Sequence, residues 1–284
     1  MKSPRSRRRF LQMTTLGTAA VVSGIPGSVI RPVAGVEAIS KKPKLKLGLA
    51  SYTLRKFDLD QTLAMTQRVG LKYIAFKSFH LPLDSSPEHI RAVARKVKDA
   101  GLELYGGGVI YMDDEAQVRQ AFEYAKAAGM ETIIGVPAHE LLPLVDRLVK
   151  QYDIKVAIHN HGPGDKVYPI PASAYKLIKD LDQRIGLCND IGHTCRSGID
   201  PAVSAEKYAD RLHDVHIKDV SAAVREGHTV EVGRGVIDIP KFLRTLIKID
   251  YQGIVSFEYE KDENDPLPGL AESVGYVHGV LAAI

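Results

Sequence analysis

Residues 73–109 read YIAFKSFHLPLDSSPEHIRAVARKVKDAGLELYGGGV. A short β-rich run from Tyr73 to Ser78 is followed by a polar loop and then by Ser86-Pro87-Glu88. That triplet supplies a cap, a proline where a helix tolerates one, and an acid in the first turn. The helical stretch stops at Gly101, and a second β-rich run extends from Glu103 to Val109. Strand, helix and strand in this order, with a connection long enough to cross over, make a parallel pair.

The unit repeats along the chain. Gly70-Leu71, Gly101-Leu102 and Gly129-Met130 recur at about thirty-residue spacing, one βα unit each. Asp113-Asp114-Glu115 opens the helix that follows the quoted segment. From Leu45 onward eight β-rich runs are legible: Leu47 to Tyr52, Tyr73 to Ser78, Glu103 to Val109, Thr132 to Val136, Lys155 to Asn160, Ile185 to Asn189, Asp214 to Lys218 and Ile254 to Tyr259. Each is apolar on both faces, as strands inside a ring of helices must be. Eight units predict a single-domain α/β protein, a (β/α)8 TIM barrel, which typically needs about 250 residues. An open doubly wound sheet is the alternative. It lacks a glycine fingerprint, because Gly106-Gly107-Gly108 is followed by neither Lys-Ser/Thr nor a GxGxxG pattern.

The 284 residues leave a leader, residues 1–38, ahead of a barrel domain, residues 39–284. Ser6-Arg7-Arg8-Arg9-Phe10-Leu11-Gln12 resembles the twin-arginine (Tat) export signal at every position except the variable last one. An apolar stretch from Met13 to Val29 follows, and Val36-Glu37-Ala38 offers a small-residue cleavage site. The expectation is export to the periplasm, by a route that carries folded proteins with their metals in place. A membrane anchor is the alternative, but Gly17, Gly24, Pro26 and Gly27 interrupt a stretch that needs about 20 apolar residues to span. Stable membrane insertion is therefore not expected.

A net charge of +4 invites a nucleic-acid partner, yet Arg5, Arg7, Arg8, Arg9, Lys41, Lys42, Lys44 and Lys46 crowd the first 46 residues. The remainder is slightly negative and carries no basic stripe with interleaved aromatics, so no nucleic acid is expected. A content of 45% hydrophobic and 25% charged residues is that of an ordinary globular chain and excludes disorder and coiled coil. Two cysteines, Cys188 and Cys195, make no disulfide framework.

In such a barrel the active site forms at the C-terminal ends of the strands. Four neighbouring runs end in ligand-type groups: His159-Asn160-His161, Asn189-Asp190 with Gly192-His193, His216 with Lys218-Asp219, and Glu258 with Glu260. Gathering imidazoles and carboxylates at one mouth is costly unless a cation compensates them. Nitrogen and carboxylate donors without thiolate suit a divalent metal ion such as Mn, Mg, Co or Zn.

The motifs Val156-Ala157-Ile158-His159-Asn160-His161-Gly162, Asn189-Asp190-Ile191-Gly192-His193, Val215-His216-Ile217-Lys218-Asp219, Gly233-Arg234-Gly235-Val236-Ile237-Asp238 and Ser256-Phe257-Glu258-Tyr259-Glu260 resemble the xylose isomerase-like sugar phosphate isomerase/epimerase family. The resemblance covers the barrel from Leu45 onward. It implies metal ligands at His159, Asp190, His216 and Glu258, where the family places Glu, Asp, His and Glu. The strand-five glutamate is thus a histidine here. Family epimerases exchange protons at one carbon between two glutamates, so its loss favours a one-base reaction. Alternate strand residues share a face, which leaves His161 as an alternative to His159 and Glu260 to Glu258.

Lys77-Ser78-Phe79-His80-Leu81-Pro82 resembles a segment of relatives linked to 3-keto-sugar chemistry, so Lys77 and His80 join Glu258 and His159 as catalytic candidates. For the lysine the bland reading is a solvated side chain, and for the histidine a loop residue. His193 and Lys218 are candidates either to orient Asp190 and His216 or to contact substrate, and Arg234 and Tyr52 are candidate substrate contacts; Arg234 equally suits a surface arginine pinning a glycine-rich loop, and Tyr52 a packing residue. The implied chemistry is proton removal beside a carbonyl of a small-molecule sugar substrate, with export arguing against a phosphorylated one. Elimination from a 3-keto-glycoside is the leading expectation. A ketose or inosose epimerase, isomerase or dehydratase is the alternative, followed by a non-catalytic sugar-binding barrel. An apurinic-site endonuclease of the same fold would need further ligands and a basic face that the sequence lacks. A homo-oligomer is compatible with all of these.

Overall fold

The computed structural model describes residues 44–284, so the leader and its twin-arginine motif lie outside the described residues. Eight parallel strands close into a barrel. They are β1 (Lys46–Ala50), β2 (Tyr73–Phe76), β3 (Glu103–Met112), β4 (Thr132–Pro137), β5 (Lys155–His159), β6 (Ile185–Asp190), β7 (Leu212–Ile217) and, after a two-residue antiparallel pair β8 (Asp219–Val220) and β9 (Thr229–Val230), β10 (Ile254–Phe257). Pairing runs β1-β10-β7-β6-β5-β4-β3-β2 and back to β1. The closed barrel of the sequence reading stands, and the open sheet does not.

Helices α1 (Leu59–Arg68), α2 (Pro87–Asp99), α3 (Glu115–Ala128), α4 (Leu142–Tyr152), α5 (Pro171–Ile178), α6 (Ile191–Arg196), α7 (Pro201–Lys207), α8 (Ile239–Lys248) and α9 (Leu267–Ala283) alternate with the strands. The cues quoted above act as read. The Ser86 hydroxyl accepts from the His89 amide at 3.3 Å, Pro87 occupies the first turn of α2, and Ile90, Val93 and Val97 form its buried stripe. Every residue of β4 and β6 is buried, as both faces of such strands require.

Inside the barrel, Ala75, Tyr105, Ile134, Ala157, Cys188 and Ile254 form a plug separate from the larger layer between strands and helices. Its one large polar member is satisfied: the Tyr105 hydroxyl lies 2.5 Å from Ser256 Oγ and 3.2 Å from Asp214 Oδ1. The Gly106-Gly107-Gly108 run is strand, not phosphate loop. A Cβ on Gly108 would sit 2.2 Å from the Ile134 carbonyl oxygen, so only glycine lets β3 approach β4 this closely.

Candidate active site

Register alone brings the four ligand-type residues together. His159 ends β5 opposite Cys188, Asp190 ends β6 opposite His216, and His216 pairs with Ser256, two residues before Glu258. One donor atom from each of His159, Asp190, His216 and Glu258 lies within 4.8 Å of all the others. His216 Nδ1 is 3.2 Å from both Glu258 Oε2 and His159 Nε2, and His159 Nε2 is 3.5 Å from Asp190 Oδ2. All four are buried.

Two carboxylates in such a place need positive charge nearby. Lys218, itself buried, places its ammonium 2.9 Å from Asp190 Oδ2 and 2.7 Å from Glu258 Oε2, with Glu260 as a third partner. Its stem reaches this point because residue 192 is glycine: a Cβ there would lie 2.4 Å from Lys218 Cγ. Burial pushes the Asp190 carboxyl up, but His193, Lys218 and His159 outweigh it and hold the group well below its ordinary range. Glu258 is likewise held low against burial by Lys218 and His216. Burial pushes His159 down to about 3, so its imidazole is neutral and has a lone pair to give. For His216 burial is outweighed by Glu258, Asp214 and Asp190, which raise its pKa.

These residues fit a divalent cation. Asp190 Oδ2 accepts no well-directed hydrogen bond although fully buried, and a lone pair of neutral His159, His216 and two ionised carboxylates converge with it. Two imidazoles and two carboxylates form a mixed donor set of catalytic rather than structural type. Beneath His216, its Nε2 faces Asp214 Oδ2 at 3.6 Å and has no hydrogen-bond partner among the described residues. Asp214 is in turn tied to Tyr105 and, at 3.4 Å, to the Cys188 thiol. A carboxylate behind a ligand histidine orients the ring and decides which nitrogen faces the ion.

Above the cradle a cavity of about 290 Å3 opens at the strand ends, lined by Tyr52, Lys77, Val109, Tyr111, His159, His161, His193, Glu258 and Glu260. That is near the lower end of small-molecule sites, which span roughly 300–1,000 Å3, and suits a single sugar-sized ring. A larger hollow between α2 and α3, about 380 Å3, holds no such convergence of titratable groups. Burial lowers the pKa of Lys77 against the pull of Glu258. His161 is lowered by burial and by His193, and its Nε2 lies 3.0 Å from the Tyr111 hydroxyl.

The structure therefore gathers His159, Asp190, His216, Glu258, Lys77, His193 and Tyr52 at one mouth, with Lys218 beneath. Two candidates sit elsewhere. His80 is buried outside the cavity lining with both ring nitrogens engaged, Nδ1 by Ser51 Oγ at 2.8 Å and Nε2 by Thr62 Oγ1 at 3.0 Å and the Phe57 carbonyl at 3.1 Å. It clamps the β2 loop and has no free donor for substrate. Arg234 pairs with Glu272 on the exposed face of α9, the surface role weighed for it.

The sequence reading missed Tyr111 altogether, and it named Asn160 and Asp219 at the strand ends without a role for either. Tyr111 reaches the mouth because β3 runs on to Met112, beyond the expected end at Val109. Asn160 accepts from the Asp190 amide at 3.1 Å and bonds Thr194 at 3.2 Å, locking β5 to the turn that aims Asp190. Asp219 accepts from four backbone amides, Val220, Gly233, Gly235 and Ile237, at 2.9–3.2 Å, and so folds the glycine-rich loop back onto the strand end. A buried acid followed by a glycine-rich loop was the only cue available for that last role.

The sequence profile described as a xylose isomerase-like TIM barrel matches residues 33–278. Among curated proteins, a rhizopine catabolism protein of Rhizobium meliloti is 28% identical over 152 residues, 48% of this chain and 46% of that protein. An inosose dehydratase of Clostridium beijerinckii is 30% identical over 147 residues, 46% of this chain and 47% of that enzyme. The chain thus spans about half the length of the curated relatives it matches. Among solved structures, an L-ribulose 3-epimerase superposes with a TM-score of 0.68 at 19% identity over 84% of this chain and 95% of that one. The 3-keto-D-glucoside 4-epimerase of E. coli gives 0.66 at 15% identity over 83% and 99%. At these identities the two structures establish the fold.

Proposed function

The chain belongs to the xylose isomerase-like TIM-barrel family, and we propose that it is a divalent-metal-dependent enzyme that eliminates the glycosidic group from 3-keto-glycosides. The observation that carries the proposal is the cradle itself: His159 stands where the family resemblance puts a second glutamate, so of the four cradle residues Glu258 is the one carboxylate that lines the substrate space, while the other lining carboxylate, Glu260, lies outside the cradle. A two-base epimerisation at one carbon has lost half its machinery, while an elimination needs one base and one acid.

His159, Asp190, His216 and Glu258 would hold a divalent ion, which would supply Lewis-acid polarisation of the substrate carbonyl. Glu258 takes the proton from the carbon beside the ketone, and the C–H electron pair moves to the ketone oxygen. As that pair returns, the bond to the glycosidic oxygen breaks, and Lys77, an ammonium with lowered pKa on the cavity wall, gives the leaving oxygen its proton. An unsaturated keto sugar and a free alcohol result. Lys218 keeps Asp190 ionised and holds Glu258 as the free carboxylate until it takes the proton.

Export of the enzyme by the twin-arginine route to the periplasm belongs to the same proposal, since phosphorylated sugars are scarce there and glycosides are not. The test is turnover of 3-keto-glucosides with and without EDTA, in heavy water. Release of the alcohol that stops on chelation and returns with Mn(II), with no deuterium in recovered substrate, is expected. Release that survives chelation refutes the metal mechanism. A second reading, dehydration of a free keto-cyclitol, is favoured by the half-length similarity to inosose dehydratases. It is the same elimination with water as the leaving group, and water loss from inosose without action on 3-keto-glycosides would select it.

A further inference from the structure

We propose that the rim of the cavity is an outer subsite that binds the leaving portion of a glycoside through an apolar ring face, an inference that rests on the elimination reading above. A cavity of about 290 Å3 holds one ring. Whatever is attached to that ring projects past the mouth. What it meets there is aromatic. Tyr111 is 51% exposed and Phe79 46% exposed; Tyr111 and Tyr52 line the cavity, and Phe79, outside the lining, has its ring centroid 6.2 Å from that of Tyr52. Exposed apolar side chains are ordinary when scattered singly, but here the exposed rings are grouped beside a cavity mouth, the setting in which an apolar patch marks a ligand surface.

Each of these rings already has a packing partner. Tyr111 stacks on His161 with centroids 5.6 Å apart and planes 24° apart, its hydroxyl is bonded to His161 Nε2, and the Lys77 ammonium lies 5.8 Å from its ring centre. Tyr52 carries the Arg55 guanidinium over its face at 4.8 Å, and Phe79 sits edge-on to the buried His80 ring at 4.7 Å. Rings that lose no rotamer freedom on binding return their stacking energy undiminished. His80 thereby acquires a role suited to its buried place, as the post against which Phe79 is set. Two ligands share the required chemistry, an aryl aglycone and a second pyranose ring.

The experiment compares unoxidised methyl, 4-nitrophenyl and glucosyl β-glucosides by calorimetric titration against the mature protein, so that binding is read without turnover. The aryl or the glucosyl compound should bind about tenfold to a hundredfold more tightly than the methyl compound, on the scale of ring stacking on exposed aromatics. Which of the two does so identifies the natural leaving group. The ratio should fall toward one in Phe79→Ala and Tyr111→Ala, and should survive in Tyr111→Phe, which keeps the ring. Equal or unmeasurable affinities for all three, or an unchanged ratio in both alanine variants, overturn the subsite. If the affinity step appears while no 3-keto-glycoside is turned over, the subsite stands and the elimination reading fails.

Discussion

Replacing Lys218 by methionine keeps the stem that packs beside Gly192 and removes only the ammonium lying 2.9 Å from Asp190 and 2.7 Å from Glu258. Two buried carboxylates held well below their ordinary pKa then face each other without their main counter-charge. Removing one partner of a buried ion pair costs about 3–5 kcal/mol. For a chain of this size each kcal/mol moves the midpoint by about 2–4 °C, so Lys218→Met in EDTA should melt roughly 6–20 °C below the parent. A divalent ion at about 100 times its Kd returns about 2.7 kcal/mol. It should therefore rescue part of the loss, and should raise the melting temperature of the variant more than that of the parent, where the ammonium competes for the same oxygens. The assay is thermal unfolding followed by circular dichroism, with EDTA and with Mn(II). A variant melting with the parent in EDTA, or equal shifts with Mn(II), would refute the account of the cradle as a charge balance centred on Lys218.

Glu258→Gln should lower turnover by about 10²–10⁴, the usual contribution of a positioned base, while sugar binding by calorimetry is retained; turnover within tenfold of the parent would remove Glu258 as the base. Asp214→Asn takes away the carboxylate facing His216 Nε2, and metal affinity measured by titration should weaken about 10–100-fold. Unchanged affinity would leave Asp214 as a spacer. His213, whose Nε2 lies 2.8 Å from the Gln183 carbonyl, is pushed down by burial to about 4. Below pH about 6.5 the unfolded chain takes up a proton that the folded protein refuses until about pH 4, so this residue makes stability fall as pH drops through that window. His213→Gln should flatten the melting temperature between those limits, and an unaltered slope would contradict the assignment.

Much of the site could be read along the chain because a barrel with parallel strands turns strand order into spatial order. His159, Asp190, His216 and Glu258 each lie in or directly after a different β-rich run, and neighbouring runs become neighbouring strands. Individual side-chain roles followed less well. His80 and Lys77 share one segment, yet the turn after β2 sends one ring into Ser51 and Thr62 and leaves the other side chain on the cavity wall. Arg234 lies in a motif that resembles the family's, and its loop, drawn in by Asp219, points it at Glu272 on the outer surface.

By itself the sequence determined the barrel and its eight strands, since periodicity and turn chemistry are local properties, and it placed imidazole and carboxylate side chains near the ends of neighbouring strands. Only the tertiary structure decided that Lys218 serves the two carboxylates, that Asp214 stands behind His216, and that Tyr111 shapes the rim. Each of those depends on distances across strands that are far apart in the chain, and such distances are set by how the barrel closes.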